Sequence, residues 1–420
     1  MNETLLQYLW RYGLINPIGL KTTGGDEVTI IHPGKINTNA GPDFIEARIR
    51  IGNTLWVGNV ELHLHTSDWT KHRHQDDIAY QNIILHVVYQ SDREPVSPVF
   101  PELELHQHID PEVIERYRHL VGGQHAIACS GSLRRVPEII WNNWLERLLA
   151  ERWEQRTGEW YSAQDSPGDW RSLLYHRLAA NFGFHVNRDA FLQLSRSIPL
   201  NILSRHRNHL LQLEALLFGQ AGLLPDSNQD DYVKQLEQEY HFLRRKYGLE
   251  PMPAHLWKFM RMRPVNFPTI RIAQFAALMH QSESLFSKMM EATSAEALQP
   301  YLRVCAGAYW DNHYRFGIVT REVSPKYLGD AAIENILINT VAPMQYFYAG
   351  QQGKTELHEN SLHLLQSLPP ENNNIIREWK NLGRAPEDAA QSQALLQLFN
   401  CYCSERQCLN CAAGNYIMKQ

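Results

Sequence analysis

The sequence predicts an α/β N-terminal domain, a small mixed sheet flanked by helices, followed by a mostly α-helical domain. Three observations carry this expectation. Short β-rich runs are confined to Glu27–Gln90, prolines at 95, 98 and 101 mark the exit from them, and from Glu138 onward apolar residues recur three and four apart.

Residues 2–13 place Leu5, Leu6, Leu9, Trp10 and Tyr12 at helical spacing and stop at Gly13, which predicts a first helix. Strands are expected at Val28–Ile31, Phe44–Ile51, Leu55–His65 and Ile83–Tyr89, separated by the turn formers Gly24-Gly25, Gly41-Pro42 and Gly52-Asn53. Alternation over Ala47–Ile51 fits a half-exposed strand, and the apolar run Ile83–Tyr89 a buried central one. The segment Gln75–Asn82 is expected to be helical, and Glu102–Leu105 to add an edge strand. Helices are then expected at Glu138–Glu159, Trp170–Asn181, Asn187–Ser195, Asn208–Gly219, Tyr232–Tyr247, Ile270–His280 and Ser282–Thr293. The domain boundary falls between Arg118 and Val136, giving a core at 1–125, a helical domain at 126–395 and a cysteine-rich segment at 396–420.

A chain of 420 residues that is 44% hydrophobic has ample material for buried cores. Its 40 basic and 45 acidic residues give a net charge of −5, so no global field draws it to nucleic acid or anionic lipid, and a polyanion site has to be a local basic patch. Met1–Leu6 has no cationic region leading into a long apolar run, and no later segment approaches a bilayer span, so a cytoplasmic protein without membrane contact is expected. Of six cysteines, four crowd into the last twenty residues, which suits a reducing compartment better than a disulfide framework.

Chemistry concentrates in the N-terminal third. Metal-assisted phosphodiester cleavage needs two carboxylates fixed close together and a third group to position water. Asp43 opens one expected strand and Glu61 lies on the next, so a hairpin would bring both to one edge of the sheet. His63, two residues beyond Glu61, shares its face because strand side chains alternate. Further ionisable groups follow at His65, Asp68, His72, His74, Asp76 and Asp77. Taken singly, His72, His74 and Asp77 read as loop residues, Asp68 and Asp76 as caps, and His86 as a hydrogen-bonded core histidine.

Pro42-Asp43 followed by Glu61-Leu62-His63 resembles the hallmark of the PD-(D/E)XK nuclease superfamily, a proline-aspartate and then Glu-x-Lys on the next strand. His63 stands where that superfamily has lysine, and a neutral histidine suits a metal ligand or a proton acceptor. Glu3 and Gln81 are the candidates for the supporting polar residues on flanking helices. The whole chain also resembles the domain of unknown function 2851 family of Bacteroidetes. That likeness rests on Gly41-Pro42-Asp43-Phe44, Trp56–His63, Ser67-Asp68-Trp69, Leu85–Tyr89, Arg263–Arg271 and the terminal cysteines. The nuclease resemblance implies a metal-dependent hydrolase acting on nucleic acid, with DNA the expected substrate and Mg2+ or Mn2+ held by Asp43 and Glu61. Two alternatives stand beside it: an inactive nucleic-acid-binding or structural protein on the same fold, since the lysine is missing, and a different hydrolase whose histidines hold zinc.

Two further features complete the picture. Lys258, Arg261, Arg263 and Arg271, preceded by Arg244-Arg245-Lys246, make Tyr240–Arg271 the most basic stretch, with Trp257, Phe259 and Phe267 interleaved. They suit either phosphate and base contacts or a solvated face with buried, loop-capping arginines. Cys401, Cys403, Cys408 and Cys411 form C-x-C-x4-C-x2-C, whose last pair has the spacing of a metal knuckle for zinc or an iron-sulfur cluster. Cys129 or Cys305 are alternative members of such a set.

Overall fold

The computed structural model describes residues 1–97, 99–123, 125–158, 160, 168–225, 230–281 and 283–420. Pro98, Glu159 and Ser282, which bound expected elements, lie outside the described residues. The chain divides into two compact units, Met1–Trp144 with Leu398–Gln420, and Leu145–Gln397.

The first unit opens with helix α1 (Glu3–Tyr12). Its Asn2 side chain accepts the Leu5 amide at the N-cap, and Gly13 closes it in the left-handed region at φ 62°. Leu5, Leu6, Leu9 and Trp10 turn inward and pack with the sheet core. The sheet has six strands, β1 (Val28–His32), β2 (Lys35–Ile36), β3 (Phe44–Ile51), β4 (Thr54–His65), β5 (Ile83–Gln90) and β6 (Glu102–Glu104), in the order β1-β3-β4-β5-β6 with β2 also paired to β3. The β1–β3, β2–β3 and β3–β4 pairs are antiparallel, whereas β4–β5 and β5–β6 are parallel, so the sheet is mixed. Residues 83–88 of β5 are all buried, as its unbroken apolar run requires of a central strand covered on both faces.

The parallel step from β4 to β5 needs a crossover. In place of the helix expected at Gln75–Asn82, the chain uses a short helix α2 (Asp68–Lys71) and two 3-10 turns, His74–Asp76 and Ile78–Tyr80. Asp77 is the reason. It is extended between the two turns, and its side chain accepts the Ala79 amide, restarting the chain as a new cap instead of continuing a helix. Helix α3 (Pro111–Gly122) follows the sheet, and α4 (Glu138–Gly158) runs across the division between the units.

The second unit is mostly helical, with α5 (Trp170–Phe182), α6 (Arg188–Ser197) and further helices that include Leu210–Gln220, Asp231–Tyr247, Pro268–Gln281 and Leu285–Glu291, and a two-stranded antiparallel pair, His313–Arg315 with Ile318–Val319. It continues past the last helix expected from periodicity, through Ala295–Leu302, Asp330–Ile336, Ala342–Gln352, Thr355–Gln366, Asn374–Asn381 and Ala389–Gln397. Among the described residues no helix is long and apolar enough to cross a membrane.

Gly58 sets how closely β4 approaches the crossover into β5, since a Cβ there would lie 2.5 Å from Ile84 Cγ2 and 2.8 Å from the Asn82 carbonyl. Gly58→Ala is therefore expected to destabilise the protein by about 1–3 kcal/mol, as overpacked positions do. Denaturant unfolding checks this; an unchanged midpoint would show that the two strands separate freely.

Candidate metal centre

The register of β3 against β4 places the first two carboxylates. Ala47 pairs with Gly58, but Phe44 pairs with Val60, so one residue is absorbed between them where Glu46 adopts a positive φ of 57°. This is a β-bulge, and it moves the start of β3 by one position. Carried one residue further, the shifted register sets Asp43 opposite Glu61; without it Asp43 would face Leu62 and share the opposite face of the sheet. Hydrogen bonds lock the result. The Asp43 amide donates to Glu61 Oε2 at 2.9 Å, and the Leu62 amide donates to Asp43 Oδ2 at 3.1 Å. From α1, Gln7 Nε2 donates to Asp43 Oδ1 at 2.8 Å.

Parallel pairing extends the polar row. Glu61 pairs with His86 on β5, and His86 with Glu102 on β6, so one sheet face carries Glu61, His63, His86 and Glu102. All four are buried, His63 at 1% and His86 at 0% exposure. Glu102 accepts hydrogen bonds from Thr66 Oγ1 at 2.9 Å and Ser91 Oγ at 2.8 Å, and lies 3.0 Å from His86 Nδ1. His86 Nε2 in turn is 2.9 Å from His63 Nδ1. With Glu102 as acceptor, His86 carries its proton on Nδ1, its Nε2 accepts from His63 Nδ1–H, and His63 Nε2 is left unprotonated, with a lone pair that accepts from His72 Nδ1–H.

That lone pair points into a histidine cluster. His63 Nε2 is 3.1 Å from His72 Nδ1 and 3.6 Å from Glu61 Oε1, and His74 Nε2 is 3.3 Å from the same Glu61 oxygen. One ligand atom from each of His63, His72 and His74 lies within 4.8 Å of the others, an arrangement that can hold a metal ion. His74 Nε2 is buried and makes no hydrogen bond, a cost that a ligand would remove. Its ring stacks on Tyr80 at 4.0 Å, and Trp69 packs edge-on against the rings of His63, His74 and His86.

The electrostatics agree with the donor chemistry. Burial, and then the neighbouring histidines, push His63 down to about 3, and burial followed by His72 pushes His74 down to about 4, so both rings are neutral and ligand-ready near pH 7. Glu61 and Asp43 are both raised, first by burial. The Asp43 charge adds to the effect on Glu61, and Glu3 on α1 raises both. Buried carboxylates that repel one another favour either a proton or a cation.

Of the residues expected from the sequence, Asp43, Glu61 and His63 are brought together, and Glu3 acts on both carboxylates. The loop residues His72 and His74 join them, because the broken crossover folds back over β4. Gln7 and Glu102 were not singled out by the sequence; Gln7 sits one turn beyond Glu3 on the α1 face toward the site, and Glu102 two positions before Glu104 in an Glu-x-Glu edge strand.

A family model described as protein of unknown function (DUF2851) matches residues 3–374. The chain belongs to this family. Comparison with curated proteins and with solved structures gives no match.

The terminal cysteines belong to the first unit, together with Cys129. Cys403, Cys408 and Cys411 are buried, while Cys129 and Cys401 are half-buried. Burial raises the Cys129 thiol to about 12, with Cys411 and Cys408 adding to the shift, and Cys403 is raised by burial and then by Cys129, Cys411 and Cys408. Four sulfurs from distant parts of the chain thus lie within electrostatic reach of one another. The Ala413 and Gly414 amides donate to the Cys411 sulfur, and Gly414 is needed there because a Cβ would stand 2.0 Å from the Cys408 carbonyl. The C-terminal cysteines can hold a metal. Cys305 lies in the second unit with Asp311 and Lys326 as its charged neighbours.

Lys258, Arg261 and Arg263 are exposed in the second unit. Arg271 is buried, donates to Gln274 Oε1 at 3.0 Å and Asn266 Oδ1 at 2.6 Å, and covers the Phe184 ring. Trp257 is buried and donates to the Ala221 carbonyl, while Phe259 and Phe267 pack on each other and on Arg315.

Calorimetric titration of metal-stripped protein with Mn2+ and Zn2+ is expected to show a site in the first unit whose affinity falls at least tenfold in His63→Ala and in Glu61→Gln, on the scale of losing one metal ligand. Equal affinity in wild type and both variants would remove these residues from the centre.

Proposed function

We propose that the first unit is a metal-dependent hydrolase of phosphodiester bonds on a PD-(D/E)XK-like core, with nucleic acid as substrate and DNA the preferred one. The observation that carries this reading is the placing of Asp43 directly opposite Glu61 at one end of a mixed sheet, with His63 on the same face. An opening helix, an antiparallel run of strands, a crossover and a parallel strand is also the order in which such a core is built.

Asp43 and Glu61 hold the ion, and His63 is its ligand or takes the proton from attacking water. Glu102 and His86 orient His63, the role a carboxylate–histidine pair plays behind a ligand. Gln7 holds Asp43 Oδ1 and the Leu62 amide holds Oδ2, which together fix that carboxyl beside Glu61. A bound divalent ion supplies Lewis-acid polarisation of the phosphoryl oxygen and a more acidic water. Imidazole donors among the ligands favour Mn2+ or Zn2+ over Mg2+, which takes oxygen.

The histidine cluster also favours a second reading, a zinc hydrolase of another substrate class centred on His63, His72 and His74 with Glu61. Substrate separates the two. Labelled single- and double-stranded DNA and RNA are incubated with Mn2+, Mg2+ or Zn2+. The nuclease reading expects metal-dependent cutting that falls at least a hundredfold in both Asp43→Ala and Glu61→Ala with the fold retained. No cutting under any of these conditions moves the assignment to the zinc hydrolase or to a binding module without activity.

We further assign Cys129, Cys403, Cys408 and Cys411 as a structural thiolate centre for zinc or an iron-sulfur cluster, which ties the segment after the sheet to the end of the chain. Metal content and visible absorbance of anaerobically purified protein are expected to drop in Cys129→Ser and Cys408→Ser but to stay unchanged in Cys305→Ser. Retention of the metal in Cys129→Ser would contradict that ligand set.

A further inference from the structure

The helical unit contains a polar cavity of about 670 Å3, well within the range of small-ligand sites. Its wall draws on α4 (Arg156), α5 (Arg177, Asn181), the start of α6 (Arg188), the π-helical turn Leu337–Val341 (Asn339, Thr340) and Glu371. Among the described residues, three guanidinium groups and one carboxylate line the cavity.

Neither Arg156 nor Arg188 forms an ion pair among the described residues. Arg156 is held in place by neutral groups: Nη1 donates to Asn339 Oδ1 at 2.7 Å and Gln393 Oε1 at 3.3 Å, and Nη2 to the Asn339 carbonyl at 3.4 Å. Burial and then the like charges of Arg152 and Arg188 push it down to about 10, Glu371 only partly offsetting them. Glu371 itself accepts from the Gln393 amide. Arg177 donates to the Trp160 carbonyl and lies over the Trp160 ring. Positive charge at Arg156 and Arg188 gathered in a recess without an ion-pair partner among the described residues costs stability unless an anion enters.

The amides show the same incompleteness. Asn181 Nδ2 donates to the Asn335 carbonyl at 3.3 Å and Thr340 Oγ1 at 3.0 Å, yet its Oδ1 is buried with no partner. A buried acceptor without a donor is rare enough to ask for one. The π-helical turn is what brings Asn339 and Thr340 to this wall, and such turns in otherwise α-helical runs are frequent at functional sites. Aromatic faces at Trp160 and Phe184 complete the lining.

We infer that this cavity is a binding site for a phosphate-bearing ligand of mononucleotide size, its phosphate held by Arg156 and Arg188, and a donor group of the ligand taken by Asn181 Oδ1. Arginine matches phosphate in geometry as well as charge. The same chemistry is presented by a free nucleotide and by a phosphorylated nucleic-acid end. This site shares no residue with the acidic centre and stands whether or not that centre cleaves nucleic acid.

The test is titration of the full-length protein with inorganic phosphate, with 5′-AMP, and with a short oligonucleotide with or without its 5′-phosphate. Arg188→Gln is the main variant because Arg188 is exposed and its loss should leave folding intact; Arg205→Gln, exposed at the end of the helix Leu200–Arg205, is the control. Saturable binding of AMP or of the phosphorylated oligonucleotide, weakened at least tenfold in Arg188→Gln and unchanged in Arg205→Gln, is expected. A preference for one of those two probes then tells the free nucleotide from the strand end. Absence of saturable binding by every probe at millimolar concentration, or binding equal in both variants, would overturn the assignment.

Discussion

One residue of slack in β3, the bulge at Glu46, decides which side chains share the face of β4 that carries Glu61. Strand side chains alternate, so a shift of one position exchanges the entire set on a face. With the bulge, Asp43 stands beside Glu61 and the two carboxyls exchange backbone hydrogen bonds across the strand pair. Lacking it, the Asp43 carboxyl would be directed at the apolar core between the sheet and α1, where nothing offsets its burial. The rest of the centre builds outward from this pairing, through Gln7 on one side and the histidines on the other.

Burial gives the centre its chemistry. Six ionisable side chains, Asp43, Glu61, His63, His74, His86 and Glu102, sit within a few ångströms of a hydrophobic core, and the network among them is directional. Glu102 orients His86, His86 orients His63, and the unprotonated Nε2 of His63 meets His72 Nδ1 and lies near Glu61. The same burial that keeps the His63 and His74 rings neutral raises the Glu61 and Asp43 carboxyls, so these four groups are poised for a cation without carrying a full complement of charge in its absence. The cysteine cluster follows a parallel logic with thiols, and its distance in sequence, from Cys129 to Cys411, makes a bound metal a tie between remote segments.

Much of this was legible in the sequence because strands obey a period of two. Phe44–Ile51 emerged with its bounds unchanged, and Glu61 and His63 share a face as their spacing requires. Periodicity has no grip on the segment between β4 and β5. There Asp77 caps a new turn, which breaks the expected helix, and although His72 stays exposed and His74 half-buried, both rings lie against His63. Gln7 and Glu102 escaped for another reason. Each belongs to an element whose pattern is satisfied without it, and only strand order and helix docking show what they meet. In the helical unit, the basic stretch reads as one feature in sequence, yet its members part company in space: Arg271 turns inward to Asn266 and Gln274, and Lys258, Arg261 and Arg263 remain at the surface.

The central claim is that Asp43, Glu61 and His63 form a metal centre. Anomalous diffraction from crystals of the full-length protein grown with Mn2+ tests it most directly. A difference peak within bonding distance of the Asp43 and Glu61 carboxyls and of at least one of His63, His72 and His74 is the predicted result. Manganese bound elsewhere, with the Asp43 amide still donating to an uncoordinated Glu61, would contradict it.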